Sequence, residues 1–223
     1  MLDSIRLLPL GDQAMLAYLG NEREALAFAG AVRRANFPWV VDVVPAYTSV
    51  AVYYALDRIN VSEVVAELER ILEATSAEVN PEGQFHHIPC CYELGLDLER
   101  IAGHTGLAVE EVIRMHASTT YTVYAIGFCP GFPYLGYLPA ELCGVPRLAS
   151  PRLRVEPGSV GLTGRQTGIY PEARPGGWNI LGRTPLELVN LKDNYFPLRA
   201  GDRVQFERID ETEFRRLARQ RLE

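Results

Sequence analysis

Hydrophobic and polar positions repeat one arrangement twice in the first third of the chain. Apolar runs at residues 4–10 and 14–19 predict two strands joined by a tight turn, and residues 40–45 and 49–55 predict a second pair. An Asn with a Glu three residues later follows each pair, which is a capping-box signature, and apolar residues then recur at helical spacing. The pattern predicts an α+β domain of the order ββαββα, with two helices on one face of an antiparallel sheet.

The rest of the chain follows a different pattern. Residues 75–83 are polar and turn-rich and predict a linker, so we expect a small α+β domain over 1–80 and a second domain over 81–223. After one strand and two short helices, short apolar runs alternate with Gly and Pro from residue 120 onward. Closely spaced strands and turns of this kind are typical of a β-barrel or a β-sandwich. Residues 211–222 predict a closing helix.

The composition is that of a globular protein, with 48% hydrophobic and 22% charged residues. No apolar run approaches the roughly 18–20 residues that a bilayer span requires, and the N-terminus lacks a signal-peptide layout. We therefore expect a cytoplasmic protein that does not associate with a membrane. Cys90 and Cys91 are adjacent and the chain has no CxxC pair, which indicates free thiols in a reducing compartment.

Charge is distributed unevenly along the chain. The net charge of −6 is unfavourable for binding nucleic acid. Residues 147–183, however, hold six Arg against two Glu, a local balance of 6 − 2 = +4. Such a positive segment in an acidic protein indicates a site for an anion or for an acidic partner surface, unless the arginines only border β-turns. Lys192 is the only lysine, and the chain contains no P-loop motif.

The sequence offers no standard catalytic or metal-ligating arrangement. His86 and His87 are neighbours on a predicted strand, so their side chains point to opposite faces, and we expect no metal site. Residues 158–161 resemble a nucleophile elbow, but proline occupies a position that must be glycine. Cys129 is a thiol without a neighbouring base except His116, which is the one candidate acid or base. The catalytic residues therefore stay unassigned.

Aromatic rings and tight turns predict a binding surface in the second domain. Residues 127–139 hold three Gly, three Pro and four aromatic residues, a composition that forms neither a helix nor a regular strand. Flat rings on a stiff backbone could wall a small-anion pocket or a docking groove, and the pattern does not choose between the two. The residues expected in a pocket wall or an interface are Phe128, Pro130, Phe132, Tyr134, Tyr170 and Trp178.

Five motifs follow one another in the second half of the chain. They read Gly127-Phe-x-Pro-Gly-Phe-x-Tyr-Leu135, Arg147-x-x-x-Pro-Arg152, Val155-x-Pro-Gly-Ser-Val160, Gln166-Thr-Gly-Ile-Tyr-Pro171 and Pro175-Gly-Gly-Trp178-x-x-x-Gly-Arg-Thr-Pro185. This ordered series resembles the family of 5-oxoprolinase B subunits, which is also described as the kinase A inhibitor family, allophanate hydrolase subunit 1, or carboxyltransferase subdomains C and D. The resemblance covers essentially the whole chain.

The resemblance implies a fold and an activity. The fold would be a small N-terminal α+β domain followed by a mainly-β, cyclophilin-like barrel. The chain would work with a C-type partner subunit of 5-oxoprolinase and a lactam-opening A-type subunit to cleave the small molecule 5-oxo-L-proline to L-glutamate at the expense of ATP, and it would be inactive alone. ATP, with Mg²⁺, would be bound by a partner chain or shared with it, which agrees with the absence of a P-loop.

The same resemblance suggests residues for the substrate, because arginine binds carboxylate and phosphate through paired hydrogen bonds. On this hypothesis Arg152, Arg154 and Arg165 hold the carboxylate of 5-oxoproline or a phosphoryl group. Ser159 and Gln166 would hydrogen-bond the lactam amide.

Two other activities fit the same residues. The chain could be a regulatory inhibitor that grips a proline-containing segment of a sporulation histidine kinase. It could also be a carboxyltransferase component that acts on urea-like or allophanate-like amides, with biotin supplied by another chain. We prefer the oxoprolinase hypothesis because a metabolic role does not depend on one particular kinase.

Overall fold

The computed structural model describes residues 6–75 and 83–222. Contacts between Cα atoms group them into two compact units, divided between Glu82 and Gly83. The predicted linker over 75–83 lies almost entirely outside the described residues, and the assignment of separate domains to 1–80 and 81–223 stays a prediction. Within the described part of the chain, no helix is long and apolar enough to cross a membrane.

The first unit is an antiparallel sheet with two helices on one face. The sheet has the strand order β1-β2-β4-β3. Strand residues such as Met15 and Val52 share one hydrophobic cluster with Phe28 of the first helix and Leu68 of the second. The elements are β1 Arg6–Pro9, β2 Ala14–Tyr18, α1 Glu22–Ala35, β3 Val40–Ala46, β4 Ser49–Tyr54 and α2 Val61–Ala74.

Both predicted helix starts are confirmed. The Asn21 side chain accepts the Glu24 N–H at 2.9 Å, which satisfies a backbone donor that no helical carbonyl can reach. At α2 the Asn60 side chain accepts the Glu63 N–H at 3.0 Å, and the Glu63 carboxylate accepts the Asn60 N–H at 3.2 Å. This reciprocal pair completes a capping box.

The second unit is mainly sheet. Its helices are α3 Leu98–Thr105, α4 Val109–Ser118 and α5 Glu211–Arg216, with 3₁₀ turns at Tyr92–Leu94 and Ala140–Leu142. Its strands are β5 Phe85–Cys90, β6 Thr120–Ile126, β7 Pro133–Gly136, β8 Arg152–Val155, β9 Ser159–Thr163, β10 Gln166–Ile169, β11 Arg174–Gly176, β12 Asn179–Arg183 and β13 Arg203–Arg208.

The main sheet of this unit has the order β5-β13-β6-β7-β10-β9-β12, and β8 pairs with β11 separately. Every strand pair is antiparallel except β5 with β13. The sheet of the second unit is therefore mainly antiparallel. The strand order is open between β5 and β12. An isolated bridge between Cys91 and Arg183 joins these ends through backbone hydrogen bonds of 2.8 and 3.0 Å.

The predicted closing helix over 211–222 is too long. Helix α5 ends at Arg216, because backbone groups further along the chain form hydrogen bonds with distant residues in place of helical ones. The Arg219 N–H donates to the Pro185 carbonyl at 3.0 Å, and the Gln220 carbonyl accepts the Glu187 N–H at 2.9 Å. These bonds hold the C-terminal segment against the loop after β12, and Arg219 adopts a positive φ of 63°.

The two adjacent histidines point to opposite faces of β5, as predicted. His86 is buried, with its Nε2 atom 3.3 Å from the Asp202 carboxylate. His87 lies on the exposed face, 2.7 Å from the Glu207 carboxylate. Among residues 6–75 and 83–222, no three His, Cys, Asp or Glu side chains come together in a way that could hold a metal ion.

Candidate functional site

An aromatic pocket opens on the second unit where the chain enters β7, leaves β10 and turns from β11 into β12. Its volume is about 140 Å³. Rings make most of its wall, the backbone of the Pro-Gly-Gly turn makes another side, and one arginine reaches it. The lining residues are Phe128, Phe132, Tyr134, Arg147, Tyr170, Pro175, Gly176, Gly177 and Trp178.

The loop that enters β7 is fixed by its own hydrogen bonds. The Phe132 N–H donates to the Cys129 carbonyl at 3.1 Å, and the Gly127 N–H donates to the Phe132 carbonyl at 3.1 Å. Gly131 has a φ of +74°, and a Cβ atom there would lie 2.1 Å from the Val189 side chain. Only glycine fits this position, so the sequence itself determines the shape of the loop.

The backbone of Phe128 is strained, although its side chain is not part of the buried core. Its φ is +65°, a region that non-glycine residues rarely occupy, yet its side chain is 60% exposed. A large apolar ring held in solvent by an unfavourable backbone is typical of a residue retained for contact with another molecule.

Phe132 is buried at the centre of the wall and contacts four other rings. It makes edge-to-face contacts at centroid distances of 5.4 Å to Phe128, 5.0 Å to Tyr134, 5.2 Å to Tyr170 and 5.4 Å to Trp178. Each such pair adds about 0.5–1.5 kcal/mol beyond the burial of apolar area. The pocket is therefore preformed and stiff.

Two glycines bring backbone and rings into direct contact in and behind the pocket wall. A Cβ atom on Gly168 of β10 would lie 3.0 Å from the Trp178 ring, and one on Gly176 would lie 2.4 Å from the Tyr170 hydroxyl. The absence of side chains at both glycines lets the two rings contact the backbone. The two glycines thus serve the packing of the pocket wall.

The electrostatics of the pocket favour an anion. Burial raises the pKa of Tyr134 and of Tyr170, and the positive charge of Arg147 opposes that rise in both cases. The two hydroxyls therefore stay protonated at neutral pH and can donate hydrogen bonds. Among the described residues, Arg147 has no carboxylate within ion-pair distance. An exposed guanidinium beside two phenolic donors can bind a carboxylate.

Five of the six residues predicted for a pocket wall line this cavity, and Pro130 does not. Sequence reasoning missed Arg147 as a site residue, although it opens the second of the five motifs. Arg147 lies eight residues after the aromatic loop, and its place in a motif could have marked it as a site residue. Cys129 packs at the edge of the ring cluster, and burial raises the pKa of its thiol, which makes it a poor nucleophile.

Arg152, predicted to bind an anion, is engaged by the protein instead. Its Nη2 atom donates to the Asp97 carboxylate at 2.7 Å, and the other Asp97 oxygen accepts the Ile180 N–H at 2.7 Å. The pair ties β8 to the start of α3 and to β12. The Nη1 atom of Arg152 is buried and has no hydrogen-bond partner among the described residues.

The other predicted ligands of substrate lie outside the pocket, and they do not converge on one site. Arg154 is exposed and donates to Glu156 at 2.6 Å, and the Arg165 guanidinium lies over the Tyr137 ring, 4.3 Å from its centroid. Ser159 begins β9 and Gln166 pairs with the other end of that strand, which separates them by about 13 Å. None of the five lines the aromatic pocket.

His116, the candidate acid or base, lies fully buried in the core. Its Nε2 atom is 3.0 Å from the Thr167 hydroxyl, which itself donates to the Gly161 carbonyl. The imidazole must therefore donate from Nε2 and accept the Tyr92 hydroxyl at Nδ1, over 2.8 Å. Burial lowers the pKa of His116 from 6.5 to about 3, so the ring is neutral. This geometry gives His116 a structural role.

Comparison with known proteins places the chain in one family. The sequence profile of the family described as "Carboxyltransferase domain, subdomain C and D" matches residues 5–198. The chain is 38% identical to the 5-oxoprolinase B subunit of Bacillus subtilis (strain 168) over 224 aligned residues, which cover 92% of this chain and 93% of that protein. It is 41% identical to the 5-oxoprolinase B subunit of Escherichia coli O157:H7, with 79% and 81% covered.

A solved structure supports the same relationship. The crystal structure of TTHA0988 superposes with a TM-score of 0.77 at 35% identity. The match covers 89% of this chain but 40% of that one, so the chain spans about two-fifths of the TTHA0988 length. The profile match and the identity to two proteins over most of their length lead to one conclusion: the chain belongs to the carboxyltransferase subdomain C and D family, together with the 5-oxoprolinase B subunits.

Proposed function

We propose that the chain is the B-type subunit of a 5-oxoprolinase complex and that its aromatic pocket binds 5-oxo-L-proline. The observation that carries the proposal is the position of Arg147, a cation with no carboxylate partner in the described part of the chain, at the edge of a small pocket walled by rings. The names of the B. subtilis and E. coli relatives support the choice of substrate.

The chemistry of 5-oxoproline fits this pocket. Its five-membered ring has apolar faces that can pack on the exposed Phe128 ring at the pocket. Its carboxylate can pair with Arg147, and its amide oxygen can accept a hydrogen bond from a protonated tyrosine, Tyr134 or Tyr170. Arg147 thus takes the role that the sequence suggested for Arg152, Arg154 and Arg165.

The chain supplies binding and orientation in this scheme, and its partners supply the rest. A lactam is a poor electrophile, so ATP-driven phosphorylation of its amide oxygen would activate it for hydrolysis. The described residues of the pocket include no carboxylate or imidazole that could act as a general base. We therefore assign ATP with Mg²⁺, and the opening of the ring to L-glutamate, to a site shared with a C-type partner and an A-type partner of the complex.

The second unit carries this site on a cyclophilin-like barrel in our proposal. The strand order β5-β13-β6-β7-β10-β9-β12 and the Cys91–Arg183 bridge that joins its two ends support closure of the sheet. The first unit, with the order ββαββα, would form the small N-terminal domain.

Reconstitution tests the proposed function. The purified chain, the candidate partner subunits and their mixture are assayed for ATP hydrolysis that depends on 5-oxoproline and for L-glutamate formed. We expect activity in the complete mixture and none in this chain alone. Glutamate formation by a mixture that lacks this chain, at the full rate, would refute its role. If the chain instead acts on a kinase or on urea, the complete mixture will not turn over 5-oxoproline.

A further inference from the structure

A second cavity lies beside the C-terminal segment, and the proposed function makes no use of it. Its volume is about 350 Å³, larger than that of the aromatic pocket. Three of the sequence motifs converge on it, because Pro157, Pro171 and residues 183–185 all line it. The loop after β12, helix α5 and the chain that follows α5 form the remaining wall.

One glycine holds the motif side of this cavity together. Gly158 has a φ of +80°, and its N–H donates to the Tyr170 carbonyl at 2.7 Å. Its carbonyl accepts the Thr184 N–H at 2.8 Å, and a Cβ atom there would lie 2.2 Å from the Thr184 oxygen. Hydrogen bonds through Gly158 thus join the turn before β9 to the ends of β10 and β12, so this side of the cavity is preformed.

Hydrogen bonds donated by backbone N–H groups hold the opposite side. The Arg219 N–H reaches the Pro185 carbonyl at 3.0 Å, and the Leu222 N–H donates to the Tyr195 hydroxyl at 2.8 Å. These bonds keep Phe214 of α5 and the Arg219 side chain at the cavity.

Two cations in the wall form no ion pair within 4 Å among the described residues; Glu156 interacts with Arg183 and Glu187 with Arg219 only at longer range. Arg183 donates from Nε to the Pro157 carbonyl at 2.8 Å and lies 5.8 Å from the Phe214 ring centroid, and its terminal nitrogens have no hydrogen-bond partner in the described part of the chain. Arg219 likewise forms no ion pair there. The one carboxylate of the wall, Glu187, is already engaged by Arg221 at 3.0 Å and by Asn190 at 3.1 Å.

We propose that this cavity is a binding site for a small organic anion. A carboxylate or phosphate group would pair with Arg183 and Arg219, since guanidinium groups bind both through forked donors. The apolar body of the ligand would pack between the three prolines and Phe214. The volume is that of a small-molecule site, and the mix of apolar walls with a few convergent charges is typical of such sites.

Titration of the full-length chain with small probes, followed by NMR of backbone amides, tests this site. The probes are phenyl phosphate and phenylacetate, with benzyl alcohol as the neutral control. We expect saturable shifts of the Thr184, Leu186 and Arg219 amides with one or both anions and none with the alcohol. If only one anion binds, its head group shows which of the two groups the site prefers.

The variant Arg219→Asn removes one cation with little risk to folding, because the side chain is exposed and Asn tolerates a positive φ. It should weaken anion binding roughly tenfold, the effect of one charge-assisted hydrogen bond. Arg147→Gln, in the aromatic pocket, should leave this binding unchanged. The proposal is wrong if Arg219→Asn binds like wild type, if benzyl alcohol binds equally well, or if neither anion shifts these amides.

Discussion

Replacement of Arg152 by Met separates a structural role of this arginine from a role in substrate binding. The change removes the partner of Asp97, whose side chain is only 8% exposed, and leaves its carboxylate with the Ile180 N–H as its remaining donor among the described residues. Removal of one member of a buried ion pair costs about 3–5 kcal/mol. Because the Arg152 side chain is 27% exposed, we expect the lower value, about 3 kcal/mol.

The assay is thermal and urea unfolding of the full-length chain, with Arg154→Met as the matched control. A loss of about 3 kcal/mol lowers Tm by about 6–12 °C for a chain of this size. The control should leave Tm unchanged, since the Arg154–Glu156 pair is exposed. Folded Arg152→Met should bind 5-oxo-L-proline like wild type. A variant with wild-type Tm that no longer binds 5-oxoproline would refute this reasoning and restore Arg152 as a substrate ligand.

Two further predictions concern the core and the aromatic loop. Stability should fall as the pH decreases from about 6.5 toward 3, by up to about 1.4 kcal/mol per pH unit, because the unfolded chain binds a proton at His116 and the folded chain does not. Urea unfolding at several pH values checks this, and His116→Phe should lose that part of the slope; equal slopes would contradict it. Gly131→Ala should lower Tm and disturb the pocket, since its Cβ would meet Val189, whereas Gly103→Ala, with open space around it, should be neutral or slightly stabilising. Equal effects of the two substitutions in calorimetry would show that the loop accommodates a side chain.

Local signals in the sequence were sufficient for the first unit. The start of α2 follows from Asn60 and Glu63, which exchange hydrogen bonds between side chain and backbone, so no distant contact determines it. The end of α5 could not be predicted in this way. Its last turn competes with hydrogen bonds to Pro185 and Glu187, which are remote in sequence. The parallel pairing of β5 with β13 joins segments more than 100 residues apart, so the local sequence of neither strand predicts it.

In the candidate site, too, local features were predictable and features that depend on distant contacts were not. The rings of the pocket wall were predictable, because large apolar side chains on a Gly- and Pro-rich backbone have few other uses. The arginines were not, since all six in residues 147–183 look alike in sequence. What separates them is the partner each finds in the fold: Arg152 meets Asp97 across 55 positions, whereas Arg147 meets no carboxylate among the described residues.

The most direct test of the account is the KM for 5-oxo-L-proline of the reconstituted complex with Arg147→Gln. Loss of the charge-assisted pair to the substrate carboxylate should raise KM roughly tenfold or more, and Arg154→Gln, an exposed arginine outside the pocket, should leave it unchanged. The affinity for 2-pyrrolidinone, the same lactam without the carboxylate, should not respond to either change. A wild-type KM for Arg147→Gln would contradict the assignment of the aromatic pocket to 5-oxoproline.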